Sequence, residues 1–184
     1  GNVEPRVKII TDPEATSTSV EVDFKHAPIP KEMRNTLMAF MNDLLIGLAN
    51  NMFGERMNDI AMSSNPPFLG GYSYYQSYSE FVDCQSFAAS CREGEVIPAY
   101  KVLLEEMERA KRYGFTAAEY ERATTQILRD LQSAADSKDT RRHQGFFYEY
   151  LDHFISNEPF MDPSYTLELA QQLLGMLPVE AVNS

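Results

Sequence analysis

Apolar side chains recur at three- and four-residue steps from residue 97 to residue 110, the spacing of one face of a helix. They are Ile97, Tyr100, Leu103, Leu104, Met107 and Ala110. Gly114 follows where this helix must end, because glycine readily adopts the left-handed conformation that helix ends need. Thr116 and Glu119 then have the spacing of a capping box, and a second amphipathic run starts there. The stretch predicts two long helices joined by a three-residue corner.

A strict alternation of apolar and charged residues marks the segment from Ser17 to Lys25. Val20, Val22 and Phe24 share one face, and Glu21, Asp23 and Lys25 share the other. This period of two is typical of an antiparallel strand with one solvent-facing side. Residues 72–81 and 82–92 predict two more strands after a loop at 63–71, and the short run 7–10 is also β-prone.

Three further helices follow from the remaining apolar stripes. The first runs from Lys31 to about Met62, where Gly47 and Gly54 are candidate points of division or bending. The others cover residues 139–157, with its stripe at Phe146, Phe147, Tyr150, Leu151 and Phe154, and residues 162–175. We therefore predict an α+β fold, in which a small antiparallel sheet has helices packed on one face and the C-terminal half is mostly helical.

Length and charge bound the class of protein. The 184 residues predict a single domain with room for two sub-layers, and 43% hydrophobic residues indicate a folded chain. A formal net charge of −11 repels phosphate backbones and anionic lipid, so we expect neither nucleic acid nor membrane as a partner. The chain begins in a strand-like segment and stops in a helical one, so we expect residues 1–184 to be one domain of a longer multidomain polypeptide.

The chain offers little reactive chemistry of its own. Cys84 and Cys91, the only cysteines, fall on one predicted strand, where about 3.3 Å per residue puts them beyond disulfide reach. We read both as small buried thiols. Neither a P-loop nor a dinucleotide-binding fingerprint occurs, and no spacing of serine or cysteine with histidine supports a nucleophile.

A zinc site is also not supported by the sequence. The only histidines are His26, His143 and His153, and no His-x-x-Glu-His motif occurs. Glu149 and His153 lie one helical turn apart, but two ligands do not make a site, and such a pair is typical of an exposed helix face. We expect no catalytic residues and no metal in this segment.

Several passages resemble the pitrilysin/insulinase-type zinc metallopeptidases. In that family a helix ends in a Gly-Phe-Thr corner and the next begins with Glu-x-x-Arg/Lys-Ala, as here at Gly114–Thr116 and Glu119–Ala123. Arg56 to Phe68 resembles the family's passage that ends in Pro-Pro-Phe, and Tyr148 to Glu158 resembles its later Glu-Tyr-x-x-His-Phe passage. The resemblance covers nearly the whole chain, and the missing zinc motif identifies a non-catalytic copy of the family's repeated α+β domain.

The resemblance implies a substrate-enclosing role. Such peptidases close around a peptide, and their non-catalytic domains supply wall and strand-edge contacts, while zinc is expected in the parent's catalytic domain. The peptide and the other domains of the same peptidase are the expected partners. An arginine and a tyrosine approach the substrate in related walls, and Arg56, Tyr72 and Tyr74 are the peptide-binding candidates here. Tyr72 and Tyr74 also fit a strand whose rings lie over a helix.

Two other functions are compatible with the sequence. The chain could come from an assembly subunit of a peptidase paralogue that has lost its metal, or it could be a generic protein-interaction module. A periplasmic or other extracytoplasmic parent is compatible with the sequence, which does not itself decide the compartment.

Overall fold

The computed structural model describes residues 4–183, which form seven α-helices, one 3-10 helix and one antiparallel sheet. The strands are β1 (Thr18–His26), β2 (Gly70–Ser79) and β3 (Val82–Cys91). The helices are α1 (Lys31–Arg34), α2 (Leu37–Ala61), α3 (Val96–Tyr113), α4 (Ala117–Asp136), α5 (His143–Ser156), α6 (Pro163–Leu174) and α7 (Glu180–Asn183), and the 3-10 helix is Lys138–Thr140. The predicted α+β class with a helical C-terminal half is confirmed.

The described residues divide into two compact units. The sheet unit contains the residues up to 28 and residues 53–113, and the helical unit contains residues 29–52 and those from 114 onward. Helix α2 therefore supplies its first part to the helical unit and its last part to the sheet unit. None of the helices within residues 4–183 is both long enough and apolar enough to cross a bilayer.

The sheet has the strand order β1-β3-β2, with both neighbours antiparallel to the central strand. The three strands lie close to their predicted positions, but Gly70 and Gly71 belong to β2 and not to the preceding loop. A Cβ atom on Gly71 would lie 2.3 Å from Met57 Cε and 3.3 Å from the Ala88 carbonyl oxygen. A larger residue at this position would force the Met57 side chain to move where α2 packs closely on the sheet.

Helices cover one face of this sheet, as predicted. The rings of Phe53 in α2 and Phe87 in β3 meet edge to face, with centroids 4.9 Å apart. Helix α3 packs on β3 and β1, and Val20 and Ala89 are buried beneath the helices. Burial of these apolar side chains holds the helices to the sheet.

An ion pair lies inside the sheet unit between α2 and α3. Arg56 Nη1 donates to Glu106 Oε1 at 3.2 Å, and both side chains are more than nine-tenths buried. Arg109 donates to the other carboxylate oxygen, Oε2, at 3.3 Å. Because the carboxylate is neutralised by two guanidinium groups, Glu106 can occupy a buried helix position.

This ion pair explains an error in the predicted apolar face of α3. Ile97, Tyr100 and Leu104 are exposed, whereas the buried side chains of the helix are Ala99, Leu103 and Glu106. The predicted stripe is therefore only partly right: Leu103 is buried and Met107 and Ala110 are half-buried, but the buried face also includes a paired charge that a count of apolar residues excludes.

The core of the helical unit joins α2, α4 and α6. Its buried members are Leu44, Leu48, Met52, Ala123, Ala170, Leu173 and Leu174. The long helix predicted from residue 31 is interrupted at residues 35–36, and neither glycine divides it. The Thr36 hydroxyl donates to the Met33 carbonyl at 2.7 Å and accepts from the Ala39 N–H at 3.2 Å, so it ends α1 and caps α2.

The predicted helix corner is confirmed and has an additional partner. Gly114 has φ +64°, and the Thr116 and Glu119 side chains form both hydrogen bonds of the capping box. The Asn183 side chain accepts from the Phe115 N–H at 2.8 Å and donates to the Phe115 carbonyl at 3.0 Å. One side-chain amide thus pairs with both backbone polar groups of Phe115.

Two predicted segments differ from the structure. Helix α5 begins at His143 and not at residue 139, because residues 141 and 142 are extended, and none of its side chains is buried, so the predicted stripe does not face a core. Residues 7–10 form no strand, and the side chains of Val7, Ile9 and Ile10 are exposed. The aromatic side chains of α5 make local contacts, such as Tyr150 with Phe160, where the ring centroids lie 4.5 Å apart, but they do not build a buried core.

Substituting alanine for Gly114 in the corner and for Gly54 inside α2 should change the free energy of unfolding in opposite directions. Gly114→Ala should lower the free energy of unfolding by about 1–2 kcal/mol or more, because alanine is strained at positive φ. Its Cβ would also lie 2.5 Å from the Asn183 side chain. Gly54→Ala, inside α2 with no atom within 4 Å of the new methyl group, should raise stability by about 0.5–1 kcal/mol. Urea denaturation of both variants tests this, and equal effects would contradict the role of Gly114.

The buried ion pair predicts that a double substitution is milder than a single one. Arg56→Met should cost about 3 kcal/mol, because it leaves Glu106 buried with less compensation. Adding Glu106→Leu should recover part of that loss. Arg112→Met, which removes the exposed pair with Glu108, should cost the least of the three. Chemical denaturation measures all three, and a double variant less stable than Arg56→Met would refute the assignment.

Candidate functional site

The face of the sheet opposite the helices carries the predicted tyrosines. Strand pairing places Tyr72 beside Ala88 and Tyr74 beside Ser86, and these positions alternate with Phe87 on the helix side. We call this side the open face. Its residues are Glu21, Asp23 and Lys25 of β1, Cys84, Ser86 and Ala88 of β3, and Tyr72, Tyr74 and Gln76 of β2.

Tyr74 lies across the central strand. Its hydroxyl, which belongs to β2, donates a short hydrogen bond to the Glu21 carboxylate of β1. The ring must therefore pass over β3, where the side chains of Ser86 and Ala88 are small and at most 5% exposed. The hydrogen bond to Glu21, together with burial, raises the pKa of Tyr74 to about 12, so the phenol stays protonated at neutral pH.

A second polar contact connects β1 to the central strand, β3. The Ser86 hydroxyl donates to Asp23 Oδ1 at 2.7 Å. Glu21 and Asp23 are nevertheless exposed to solvent. Each carboxylate can accept further hydrogen bonds, because its two oxygens offer about four acceptor positions. The open face therefore presents two carboxylates along β1, held in place by groups from β2 and β3.

The exposed part of the face is aromatic. Tyr72 is 52% exposed, and its ring centroid lies 5.7 Å from that of Tyr74. Tyr78 is exposed to a similar degree, and Lys25 Nζ lies 5.6 Å from the centroid of its ring. Flat, half-exposed rings of this kind provide contact area for a polypeptide at low cost in conformational entropy.

The structure brings Tyr72 and Tyr74 together but does not bring Arg56 to them. Arg56 lies on the helix side of the sheet, where it is paired with Glu106. The alternative in which the rings lie over a helix does not apply to Tyr72 and Tyr74. Tyr75 is the ring that points to the helix side, where its hydroxyl donates to Asp83 Oδ2 at 2.6 Å.

Sequence reasoning missed Glu21, Asp23 and Ser86 as neighbours of the tyrosines. The alternation in β1 correctly placed Glu21 and Asp23 on the solvent-facing side. What it lacked was the strand order, which puts β1 and β2 on either side of β3. Only that order brings a glutamate and a tyrosine 53 residues apart into contact.

The residues of this chain do not fit a zinc site. His26 Nδ1 lies 2.9 Å from the Ala27 carbonyl oxygen, and His153 Nδ1 lies 2.7 Å from that of Glu158. Glu149, the predicted neighbour of His153, is paired with Arg141. Within residues 4–183 no three side chains of histidine, cysteine, aspartate or glutamate are grouped so that they could hold a metal ion.

The sulfur and hydroxyl groups of β3 are not arranged as nucleophiles. Cys84 and Cys91 are both free and buried, as predicted. Burial raises the pKa of the Cys84 thiol, which keeps it in the less nucleophilic form. The Ser86 hydroxyl donates to a carboxylate, and the one histidine of the sheet, His26, pairs in register with Asp83 on the helix side. Ser86 and His26 therefore lie on opposite faces of the sheet.

Comparison with known proteins agrees with a peptidase fold. No family model matches the chain. The probable zinc protease PqqL of Escherichia coli is 21% identical over 179 residues, which cover 96% of this chain and 19% of PqqL. The chain thus spans about a fifth of the curated relative that it matches.

Solved structures show the same fold. The crystal structure of the periplasmic protease PqqL matches with a TM-score of 0.83 and 18% identity, covering 92% of this chain and 19% of that one. The first half of PqqL matches with a TM-score of 0.84 and 18% identity over 95% of this chain and 37% of that one. A predicted insulinase family protease from Yersinia pestis matches with a TM-score of 0.75 and 13% identity over 92% and 36%.

These matches support the resemblance to the pitrilysin/insulinase-type zinc peptidases that the sequence suggested. Along nearly its whole length, this chain is similar in sequence to a segment of a probable zinc protease and has the fold of that segment.

Proposed function

We propose that this chain is a non-catalytic, substrate-enclosing domain of a zinc-dependent metalloendopeptidase. Residues 1–184 would form one domain of a longer polypeptide, whose other domains are its partners and supply the zinc site. Three facts support the proposal: the chain matches a fifth of a probable zinc protease, it lacks the zinc-binding motif, and its described residues do not fit a metal. PqqL is a periplasmic protease, and we propose an extracytoplasmic location for the parent here as well.

The observation that carries the proposal is the one-sided cover of the sheet. Helices pack on one face, and among residues 4–183 the outer strands β1 and β2 each pair with β3 alone. The outer edge of an antiparallel sheet offers a row of backbone donors and acceptors to an extended peptide. Because these bonds involve only main-chain atoms, such a wall accepts many sequences.

The side chains of the open face would contact the peptide beyond its backbone. Tyr72 and Tyr74 are the contact residues in this proposal, since both lie on the edge strand β2 and Tyr72 is half-exposed. Arg56 would act indirectly, by holding α2 to α3 behind the sheet. The wall thus contributes shape and main-chain bonding, while the reactive groups come from another domain.

Two alternatives differ in what the parent protein contains. An assembly subunit of an inactive paralogue would share this fold but would lack the zinc motif throughout its length. A generic interaction module would have no peptidase relationship, and the similarity in sequence and fold to PqqL argues against it. Sequencing the gene on both sides of this segment separates the first alternative from an active parent.

We expect the 184-residue chain to be folded, monomeric and proteolytically inert, because it has no set of zinc ligands. Incubation with quenched fluorescent peptides, with zinc and separately with a chelator, should give identical background rates. Size-exclusion chromatography checks the oligomeric state. Zinc-dependent cleavage that copurifies with the chain through two orthogonal columns would refute the non-catalytic role.

Edge-strand binding predicts that the peptide backbone matters more than its side chains. An extended nine-residue peptide should bind the chain, and the same peptide with every amide N-methylated should lose at least about tenfold in affinity, because it cannot donate to the strand edge. Fluorescence anisotropy measures both. A peptide of the same composition in scrambled order is the control and should bind almost unchanged. Equal binding of the methylated peptide would contradict strand addition.

A further inference from the structure

We propose that the open face binds a cationic side chain, arginine or lysine, of an extended peptide, between the carboxylates of Glu21 and Asp23 and the exposed ring of Tyr72. The inference rests on the proposed peptide-binding role. It adds that the open face prefers peptides that carry arginine or lysine. It follows from the placement of charge and aromatic rings on the face.

The first step is the arrangement of the two carboxylates. Glu21 and Asp23 are two residues apart on β1, so both point to the open face and both are exposed. Tyr74 and Ser86 fix them from one side, which orders the carboxylates before any ligand arrives. An ordered acceptor pair loses less entropy on binding a guanidinium or ammonium group than two free side chains would.

The second step is the contact between Lys25 and the ring of Tyr78, in which a cation of the protein itself binds an aromatic ring of this face. Lys25 follows on the same face of β1, and its ammonium nitrogen lies 5.6 Å from the ring centroid of Tyr78. This is the distance range of a cation–π interaction. Lys25 therefore already has a ring as its partner at one end of the face. The half-exposed Tyr72 ring lies beside Tyr74, and Tyr72 and Glu21 flank Ala88 from opposite sides in the strand register.

The third step is the balance of charge. The open face carries two carboxylates and one ammonium group, and the whole chain has a net charge of −11. A peptide cation is attracted at long range by the net charge and bound at short range by the acid pair and the ring. Arginine suits the site best, because its planar group can bond a carboxylate and stack on a tyrosine together.

The test compares two labelled nine-residue peptides that differ only in charge. One carries two arginines at alternate positions, and the other carries citrulline there, which keeps the shape but not the charge. Fluorescence anisotropy with the wild-type chain should show the arginine peptide binding about tenfold more tightly. Glu21→Gln/Asp23→Asn should abolish this preference while leaving the affinity for the citrulline peptide unchanged.

A matched variant separates the site from general attraction. Glu121→Gln/Asp130→Asn removes the same two charge types from exposed positions on α4 and should keep the preference. Tyr72→Leu provides a second probe that leaves every charge in place, and it should reduce the preference about threefold. Thermal melts confirm that each variant is folded.

The outcomes distinguish this inference from the proposed function. Equal affinity of the two peptides for the wild-type chain, or an equal loss in both charge variants, overturns the cation site but leaves peptide binding intact. Failure of both peptides to bind the wild-type chain overturns both. A preference that disappears only in Glu21→Gln/Asp23→Asn, and weakens in Tyr72→Leu, establishes the site.

Discussion

A three-stranded sheet that is covered by helices on one side only must protect its other side with its own side chains. In this protein the Tyr74 side chain provides that protection, because its ring extends from β2 over β3 to a hydrogen bond with Glu21. The bond requires small residues in the central strand, and Ser86 and Ala88 meet that requirement. Without it, the small side chains of β3 would be open to water, and the outer strands would lose one of the contacts, alongside Lys25 with Tyr78, that join them across the face.

The helix side of the sheet follows a different rule. There, apolar packing is interrupted by one charged pair, Arg56 with Glu106, which α2 and α3 bury together. A buried pair of this kind adds little net stability compared with an apolar pair of the same size, but it penalises any arrangement that separates the partners. Its effect is to fix how α2 and α3 meet over the sheet. The helix side thus supports the sheet with fixed packing, and the open face presents polar and aromatic side chains.

Local signals in the sequence predicted the elements well. The capping box at Thr116, the left-handed Gly114 and the alternation in β1 depend on residues that are neighbours in the chain, so the pattern alone is sufficient. The interruption at Thr36 is also local, but a hydroxyl that bonds its own backbone resembles an ordinary helical residue when only apolar spacing is counted.

Interactions between distant residues could not be predicted in this way. The predicted face of α3 included the buried Leu103 but missed Glu106, because Arg56 and Glu106 are 50 residues apart and no property of Glu106 alone shows that it is buried. Helix α5 has apolar spacing but no buried side chain, so periodicity did not reveal its surroundings. The candidate site shows the same limit: the tyrosines were visible in the sequence, whereas Glu21, Asp23 and Ser86 join them only through the strand order.

The contact between Asn183 and Phe115 has a consequence for how the chain folds. Its partners are 68 residues apart, so the two bonds from Asn183 to the Phe115 backbone cannot form until the chain extends to its last described residue. Closing a loop of that length is entropically costly compared with forming a local turn. We therefore expect the corner to be specified locally by Gly114 and the capping box, and the Asn183 bonds to be added to it later, when the end of the helical unit docks.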